Sequence, residues 1–337
     1  MATLTRRSIE LAPPGRTILE HQEFARLAAA HGWGGTWISE LAGFDGVTQV
    51  IAAGHAIAPG RAGTAIIPMQ TRDPLLMAMT AASINQLLDG RFVLGLGTST
   101  QVIIEGWHAT DWGKPLSLTR EYVSLVRRFL AGERVNTAEG RYRFHGASLG
   151  NQLPSAVPIY LAGLNDRMLE LVGEIADGAL LNFASLDYVR HARERLAVGR
   201  ERAGKSMDDF EIVVYFRCSF VDDYAEVRDR YQREFLTYVM APVYQQMWGR
   251  EGWGPMCADV EQKWRRGERE AALAAIPDRL ASERALIGTP AEVRKRLDDY
   301  FDIGVHAAIV MPVARPGRDY AEDCSSIIMG LGTNTPG

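Results

Sequence analysis

Cysteine is scarce and scattered. Cys218, Cys257 and Cys324 are the only three in 337 residues, odd in number and far apart. That spacing offers neither a disulfide framework nor paired metal ligands, so no metal is expected and a reducing cytoplasm is the default compartment. Cys218 falls in an apolar, strand-like run and reads as inert packing. Basic excess is also missing. The 37 Lys and Arg against 41 Asp and Glu leave a net charge of −4, which argues against nucleic acid as a partner. No apolar run approaches the ~18 residues that a membrane helix needs. Residues 1–7 lack the apolar core of a secretory leader.

Alternation is what the chain does have. At 47% hydrophobic residues it can bury a large core, and strand-like and helix-like patterns take turns along most of its length. Strands are expected at 8–11, 35–38, 62–67, 92–96, 158–162, 179–183, 211–220 and 307–311. Helices are expected at 18–31, 47–57, 74–88, 118–130, 165–175, 188–202, 290–303 and 320–328. Pro74 opens the third of them, where proline is favoured. Residues 135–144 read as a small excursion hairpin turning at Ala138-Glu139-Gly140. Eight such repeats fit an α/β fold of the (β/α)8 TIM-barrel class better than an open sheet. A mostly helical insertion at about 224–285 separates strands seven and eight. Tyr244, Met247, Trp248, Trp253 and Met256 crowd it and read first as its own core, with an apolar substrate pocket or subunit contact as alternatives. Residues 1–330 then form one barrel domain and 331–337 a flexible tail.

In such a barrel the site forms at the C-terminal ends of the strands. The fourth end is the most informative. Gly90-Arg91-Phe92-Val93-Leu94-Gly95-Leu96-Gly97-Thr98-Ser99-Thr100 passes from a buried strand into small and hydroxylated residues, which offer N–H and O–H groups to a polar ligand. A dinucleotide fingerprint needs glycine or alanine at position 100, where Thr stands, and then an immediate helix. Residues 101–115, with Trp107, Trp112, Gly113 and Pro115, read instead as a long loop. Gly163-Leu164-Asn165 marks another strand end, handing over to a helix N-terminus whose free N–H groups can hold a phosphate. Asn165 serves equally as an ordinary N-cap. The second strand ends at Ser39-Glu40, the third at Ala65-Ile66-Ile67 and the sixth at Asn182-Phe183.

Four stretches resemble the luciferase-like monooxygenase superfamily, and most of all its deazaflavin (coenzyme F420)-dependent oxidoreductase branch. They are Gly63-Thr64-Ala65-Ile66; Gly90 to Ser99 with Gln101-Val102 and Glu105-Gly106-Trp107-His108; Lys114-Pro115-Leu116 with Thr119-Arg120-Glu121-Tyr122-Val123; and Pro158-Ile159-Tyr160-Leu161-Ala162-Gly163 with Gly173-Glu174-Ile175-Ala176-Asp177-Gly178. The resemblance implies a luciferase-like (β/α)8 barrel assembled as a homodimer or homotetramer. It implies hydride transfer between coenzyme F420 and a small-molecule or modified-peptide substrate, chiefly reduction of a C=C, C=N or C=O bond. The alternative is reduced FMN with O2, in a two-component monooxygenase. Gly106-Trp107-His108 and the helix after it resemble deazaflavin users more than FMN users. A cofactor-binding barrel without turnover is a third reading.

The resemblance also implies roles. Ala65-Ile66, with Ile67, would form a bulge through a cis peptide bond under one face of the cofactor ring; a plain buried strand is the alternative. Thr98, Ser99, Thr100 and Gln101 would meet the ring edge, ribityl chain and phosphate, or else cap their own loop. Ser39, Gly163, Leu164 and Asn165 complete the cofactor set. Some deazaflavin dehydrogenases carry an Asp-His pair where this chain has Ser39-Glu40. The histidine base is therefore missing, and Glu40 becomes a candidate proton donor or acceptor, given a dry pocket. Relatives acting on sugar phosphates carry a glutamate where Thr100 stands, which argues against that substrate. His108 is the second candidate acid, Trp107 a lid, and Phe44 a candidate substrate contact. Arg120 and Glu121 read as structural ion pairs.

Overall fold

Helix starts in this chain are set by short polar side chains. Thr17, Asp45, Asp73, Ser185, Thr289 and Asp319 each accept an N–H from the first turn of the helix that follows. Between those helices lie short, buried, mostly apolar runs that pair edge to edge. The computed structural model describes residues 7–150 and 156–333. Its eight barrel strands are Ser8–Leu11, Gly35–Ile38, Arg61–Thr64 continued by Ile67–Pro68, Phe92–Gly97, Ile159–Ala162, Gly178–Asn182, Glu211–Phe220 and Ala307–Pro312. All pair in parallel and in sequence order, and the first closes on the eighth with Ser8 opposite Ala307. The result is the expected (β/α)8 barrel.

Two layers of core follow from the pleat. One face of each strand packs against the surrounding helices. The other fills the barrel interior with Trp37, Val93, Tyr160, Leu180, Val213, Ala307 and Ile309. At the N-terminal end Arg61 plugs the interior, donating to Glu10 at 2.8 Å and to Glu211 at 2.7 Å. Such a buried network fixes geometry more than it adds stability.

Between the seventh and eighth strands the chain leaves the barrel for helices Arg228–Val239, Pro242–Arg250, Gly254–Arg265, Arg269–Ala274 and Asp278–Ser282. Met247 and Trp248 are fully buried there, and Phe235 stacks on Trp248 with ring centroids 5.8 Å apart. The aromatic crowd is therefore the insertion's own core.

Four details differ from the sequence expectation. The third strand is not continuous over 62–67 but is interrupted at Ala65-Ile66. Residues 101–115 are not one long loop, because Gln101–Gly106 is a short helix anchored by buried Ile104. Its Val102-Ile103-Ile104 run is β-branched, and such residues have low intrinsic helix preference. A three-residue strand, Leu286–Gly288, adds to the end of the seventh strand. The last helix runs on to Leu331, so the expected tail is shorter at its start, and residues 334–337 lie outside the described residues.

Candidate active site

The C-terminal mouth of the barrel is organised around a break in the third strand. The Ala65–Ile66 peptide bond is cis. The second strand holds this segment from one side: Ala65 N–H donates to the Ile38 carbonyl at 2.7 Å, and Glu40 N–H donates to the Ile66 carbonyl at 3.0 Å. Ser39 Oγ donates to the Ala65 carbonyl at 2.7 Å. The fourth strand holds it from the other side, where Thr64 Oγ1 donates to the Gly95 carbonyl at 2.8 Å and accepts from Gly95 N–H at 2.9 Å. A Cβ on Gly95 would sit 1.6 Å from the Thr64 carbonyl oxygen, so only glycine fits. A Cβ on Gly97 would meet Ile66 at 3.1 Å and Ala162 at 3.2 Å. Small residues thus keep a narrow space open beside the bulge.

Beyond Gly97 the chain is pinned by its neighbours. The Thr98 carbonyl accepts from Trp112 Nε1 at 2.9 Å and from Gln70 Nε2 at 3.1 Å. Ser99 turns through a left-handed conformation, φ 51°, and Thr100 precedes the short helix without capping it. Among the described residues the hydroxyls of Thr98, Ser99 and Thr100, all half-buried, have no protein partner. Three such hydroxyls at one strand end are unused hydrogen-bonding capacity, which suits a polar ligand. Gln101 is exposed and donates to Glu105 at 2.9 Å.

Gly163, Leu164 and Asn165 lead from the fifth strand into helix Asp166–Ile175, which Asn165 precedes without a side-chain cap. The Leu164 carbonyl accepts from the Tyr188 hydroxyl. Asp166, in the first turn, pairs with Arg250 at 2.6 Å and His191 at 2.8 Å. Partial burial pushes its carboxyl up, but those two partners outweigh this and hold it below the usual range. Asn165, Arg167, Gln246 and Arg250 line a cavity of about 520 Å³ there. A cavity of about 810 Å³ lies between helix Leu186–Arg202 and the insertion, lined by residues such as Tyr188, His191, Trp253 and Arg296, and contains none of the expected site residues.

The two candidate acids are placed very differently. Glu40 accepts a bidentate pair from Arg72, at 2.6 and 3.0 Å, and the Gly46 N–H at 2.8 Å. Arg72 is held in turn by Tyr122, whose hydroxyl donates to its carbonyl at 2.9 Å. The hydrogen bonds to Glu40 push the Arg72 guanidinium up. His108 is exposed, just beyond the short helix. Trp107 and Phe44 are 59% and 50% exposed, large apolar side chains facing solvent near strand ends. Arg120 pairs with Glu174 at 2.5 Å as a structural contact. Glu121 instead accepts the backbone N–H groups of Arg141 and Tyr142.

The sequence reading named the strand end at Asn182-Phe183 but missed the rest of the far wall of the mouth. Arg217 on the seventh strand donates to Glu234 at 2.5 Å, to Asn182 Oδ1 at 2.6 Å and to the Tyr238 hydroxyl at 2.9 Å. Its guanidinium lies 4.1 Å from the Phe183 ring centroid. Asn182 donates to the Tyr244 hydroxyl at 2.8 Å. Glu234, Tyr238 and Tyr244 all come from the insertion, which is thereby fastened onto the strand ends. One signal was available: Val213, Tyr215 and Arg217 share the inward face of a strand read at period two, and a lone arginine in that apolar run marks the mouth.

A sequence model of the family described as luciferase-like monooxygenase matches residues 1–307. The 5,10-methylenetetrahydromethanopterin reductase of Methanolobus tindarius is 26% identical over 314 residues, covering 91% of this chain and 94% of that protein. Among solved structures, the coenzyme F420-dependent tetrahydromethanopterin reductase of Methanopyrus kandleri superposes with a TM-score of 0.79 at 20% identity, covering 98% of each chain. An F420-dependent secondary alcohol dehydrogenase, solved with an F420-acetone adduct, superposes with a TM-score of 0.78 at 17% identity, covering 98% of this chain and 99% of that one.

Proposed function

The chain belongs to the luciferase-like monooxygenase family, and from that premise we propose that it is a coenzyme F420-dependent oxidoreductase. Its reaction is hydride transfer between the deazaflavin and an organic substrate, in the reducing direction at a C=C, C=N or C=O bond. The observation that carries this reading is the strand end at Thr98 to Thr100, where three half-buried hydroxyls without a protein partner among the described residues adjoin the small-residue wall of Gly97 and Ala162. Full-length similarity to an enzyme named as a methylenetetrahydromethanopterin reductase supports the same cofactor class.

The residues present fit the coenzyme. Ala65, Ile66 and Ile67 would back one face of its ring, and Ser39, Thr98, Ser99, Thr100 and Gln101 would meet its polar edge and ribityl chain. Gly163, Leu164 and Asn165 would receive the phosphate, with Arg167 adding positive charge nearby and Arg250 already paired with Asp166 in the same cavity. When bound, the coenzyme supplies two electrons as hydride from a carbon centre, chemistry that needs no O2. The protein's task would be to fix the ring against the bulge, exclude water from that face and leave the other to substrate. Phe44 and Trp107 are apolar groups that could close over substrate. Reduction also needs a proton. Glu40 and His108 are the donors proposed from sequence, of which Glu40 is already engaged by Arg72.

The runner-up is an FMN- and O2-dependent monooxygenase, favoured by the name of the family itself. None of the described helices is long and apolar enough to cross a membrane. We further propose a cytoplasmic location, a small-molecule or modified-peptide substrate, and a homodimer or homotetramer. The test is fluorescence titration of the pure protein with coenzyme F420 and, separately, FMN, each oxidised and reduced. Preference for the deazaflavin is expected. Preference for FMN, with substrate-dependent O2 uptake, overturns the proposal.

A further inference from the structure

We propose that Tyr215 is the general acid of this site, its hydroxyl giving the proton that completes reduction of the substrate's double bond. The proposal rests on the hydride-transfer reading above. Tyr215 lies on the inward face of the seventh strand, between fully buried Val213 and nearly buried Arg217, and is itself only half-buried. With Ala65, Ile66, Ala162 and Met311 it forms the top of the barrel interior. It therefore faces the mouth from the wall opposite the third strand, with its side chain packed towards the bulge.

Its hydrogen bonds leave the proton loosely held. The Tyr215 hydroxyl donates to Met311 Sδ at 3.5 Å, a weak acceptor. Ser39, just past the second strand, lies close by and acts to lower the phenol, while its own hydroxyl donates to the Ala65 carbonyl at 2.7 Å. A substrate oxygen or nitrogen arriving at the bulge would compete easily with the thioether.

The surroundings suit both forms of the phenol. The titratable and charged groups facing it are Arg217 from its own strand and Glu234 and Tyr238 from the insertion. Burial pushes the phenol up and keeps it protonated, while Arg217 acts in the opposite direction. The Arg217 guanidinium lies 5.0 Å from the Tyr215 ring centroid, close enough to steady a phenolate once the proton has left.

The step balances as follows. One end of the substrate's double bond gains hydride, supplied by the reduced coenzyme, and the π bond breaks. The electron pair moves to the other end, which takes the proton from Tyr215 Oη. The substrate gains two electrons and the coenzyme loses two. Water entering past exposed Ser39 returns the proton to the phenolate.

The test places 3-fluorotyrosine at position 215 alone and follows its fluorine resonance as oxidised coenzyme F420 is added. A shift that saturates with the coenzyme's own fluorescence binding curve is expected. Saturable binding that leaves the resonance unmoved overturns the proposal. No binding at all overturns the functional reading beneath it. In a second arm, Tyr215→Phe is given cyclohex-2-enone, 1-pyrroline and cyclohexanone as probes of the three bond classes. Single-turnover reduction is expected to fall about 100-fold or more, with coenzyme affinity kept within about two-fold. An unchanged rate on any probe the parent protein reduces overturns the proposal; if it reduces none, the fluorine arm alone decides.

Discussion

Arg217 on the seventh strand and Glu234 on the insertion are joined by an ion pair at 2.5 Å, with the Arg217 side chain only 8% exposed. The pair is the main polar link between the insertion and the barrel mouth. Removing the carboxylate leaves a buried guanidinium with neutral partners. Glu234→Ala is expected to cost about 3–5 kcal/mol in urea unfolding. The double variant Arg217→Met with Glu234→Leu should recover most of that loss, because an apolar pair needs no charge compensation. Additive losses in the double variant would show that the two residues are not energetically coupled.

Gly95 and Gly97 sit two residues apart on the same inward face, yet their substitutions should separate fold from binding. A Cβ at Gly95 collides with the Thr64 backbone at 1.6 Å, whereas at Gly97 the nearest atoms belong to the flexible Ile66 side chain at 3.1 Å. Gly95→Ala is expected to abolish soluble, cooperatively folding protein. Gly97→Val should fold with a similar melting temperature but bind coenzyme F420 at least about ten-fold more weakly, a loss of roughly 1.4 kcal/mol. Equal affinity in Gly97→Val and the parent protein would place the ring elsewhere.

The barrel was legible because the strands are mostly short and apolar and alternate with helices, several of them opened by a capping side chain. Thr17, Asp45 and Asp73 announce their helices in the sequence itself. The site was legible in part. Strand ends at Ser39, Ala65 and Thr98 could be named, but what engages Glu40 could not, since Arg72 lies 32 residues away along the chain. Asn182 could be named as a strand end, but the wall it forms with Tyr215 and Arg217 was hidden for a similar reason. Its partners, Glu234 and Tyr238, come from an insertion whose path over the barrel depends on tertiary packing rather than local pattern. The helix at Gln101–Gly106 was hidden by β-branched residues that elsewhere signal strand.

Glu40 and His108 were the two candidate acids in the sequence, and they are placed very differently in space. Glu40→Gln removes one charge from a pair with Arg72 whose side chains are 12% and 16% exposed. It should lower stability by about 1–3 kcal/mol in urea unfolding and loosen the loop that carries Ser39. His108→Ala, at an exposed position, should leave stability within about 0.5 kcal/mol. If Tyr215 is the acid, the His108 variant also keeps single-turnover reduction within about three-fold of the parent. A loss in His108→Ala as large as the 10²–10⁴ typical of general acids would return the role to the loop.

The last helix offers a pH test independent of the site. Asp323, 6% exposed on that helix, accepts from Arg315 N–H at 2.7 Å and from its guanidinium at 2.5 Å. Burial pushes the Asp323 carboxyl up, but the Arg315 side-chain and backbone hydrogen bonds outweigh it and hold the group below its ordinary 3.8. A depressed folded value means that the unfolded chain takes up the proton first as pH falls. The stabilisation is therefore complete above about 3.8 and is lost as pH drops through the lower folded value. Asp323→Asn should be about 1–3 kcal/mol less stable than the parent at pH 7. The gap should narrow in urea unfolding repeated at pH 3. A gap of the same size at both pH values would show that the loss comes from hydrogen-bond geometry and not from the charge of the carboxylate.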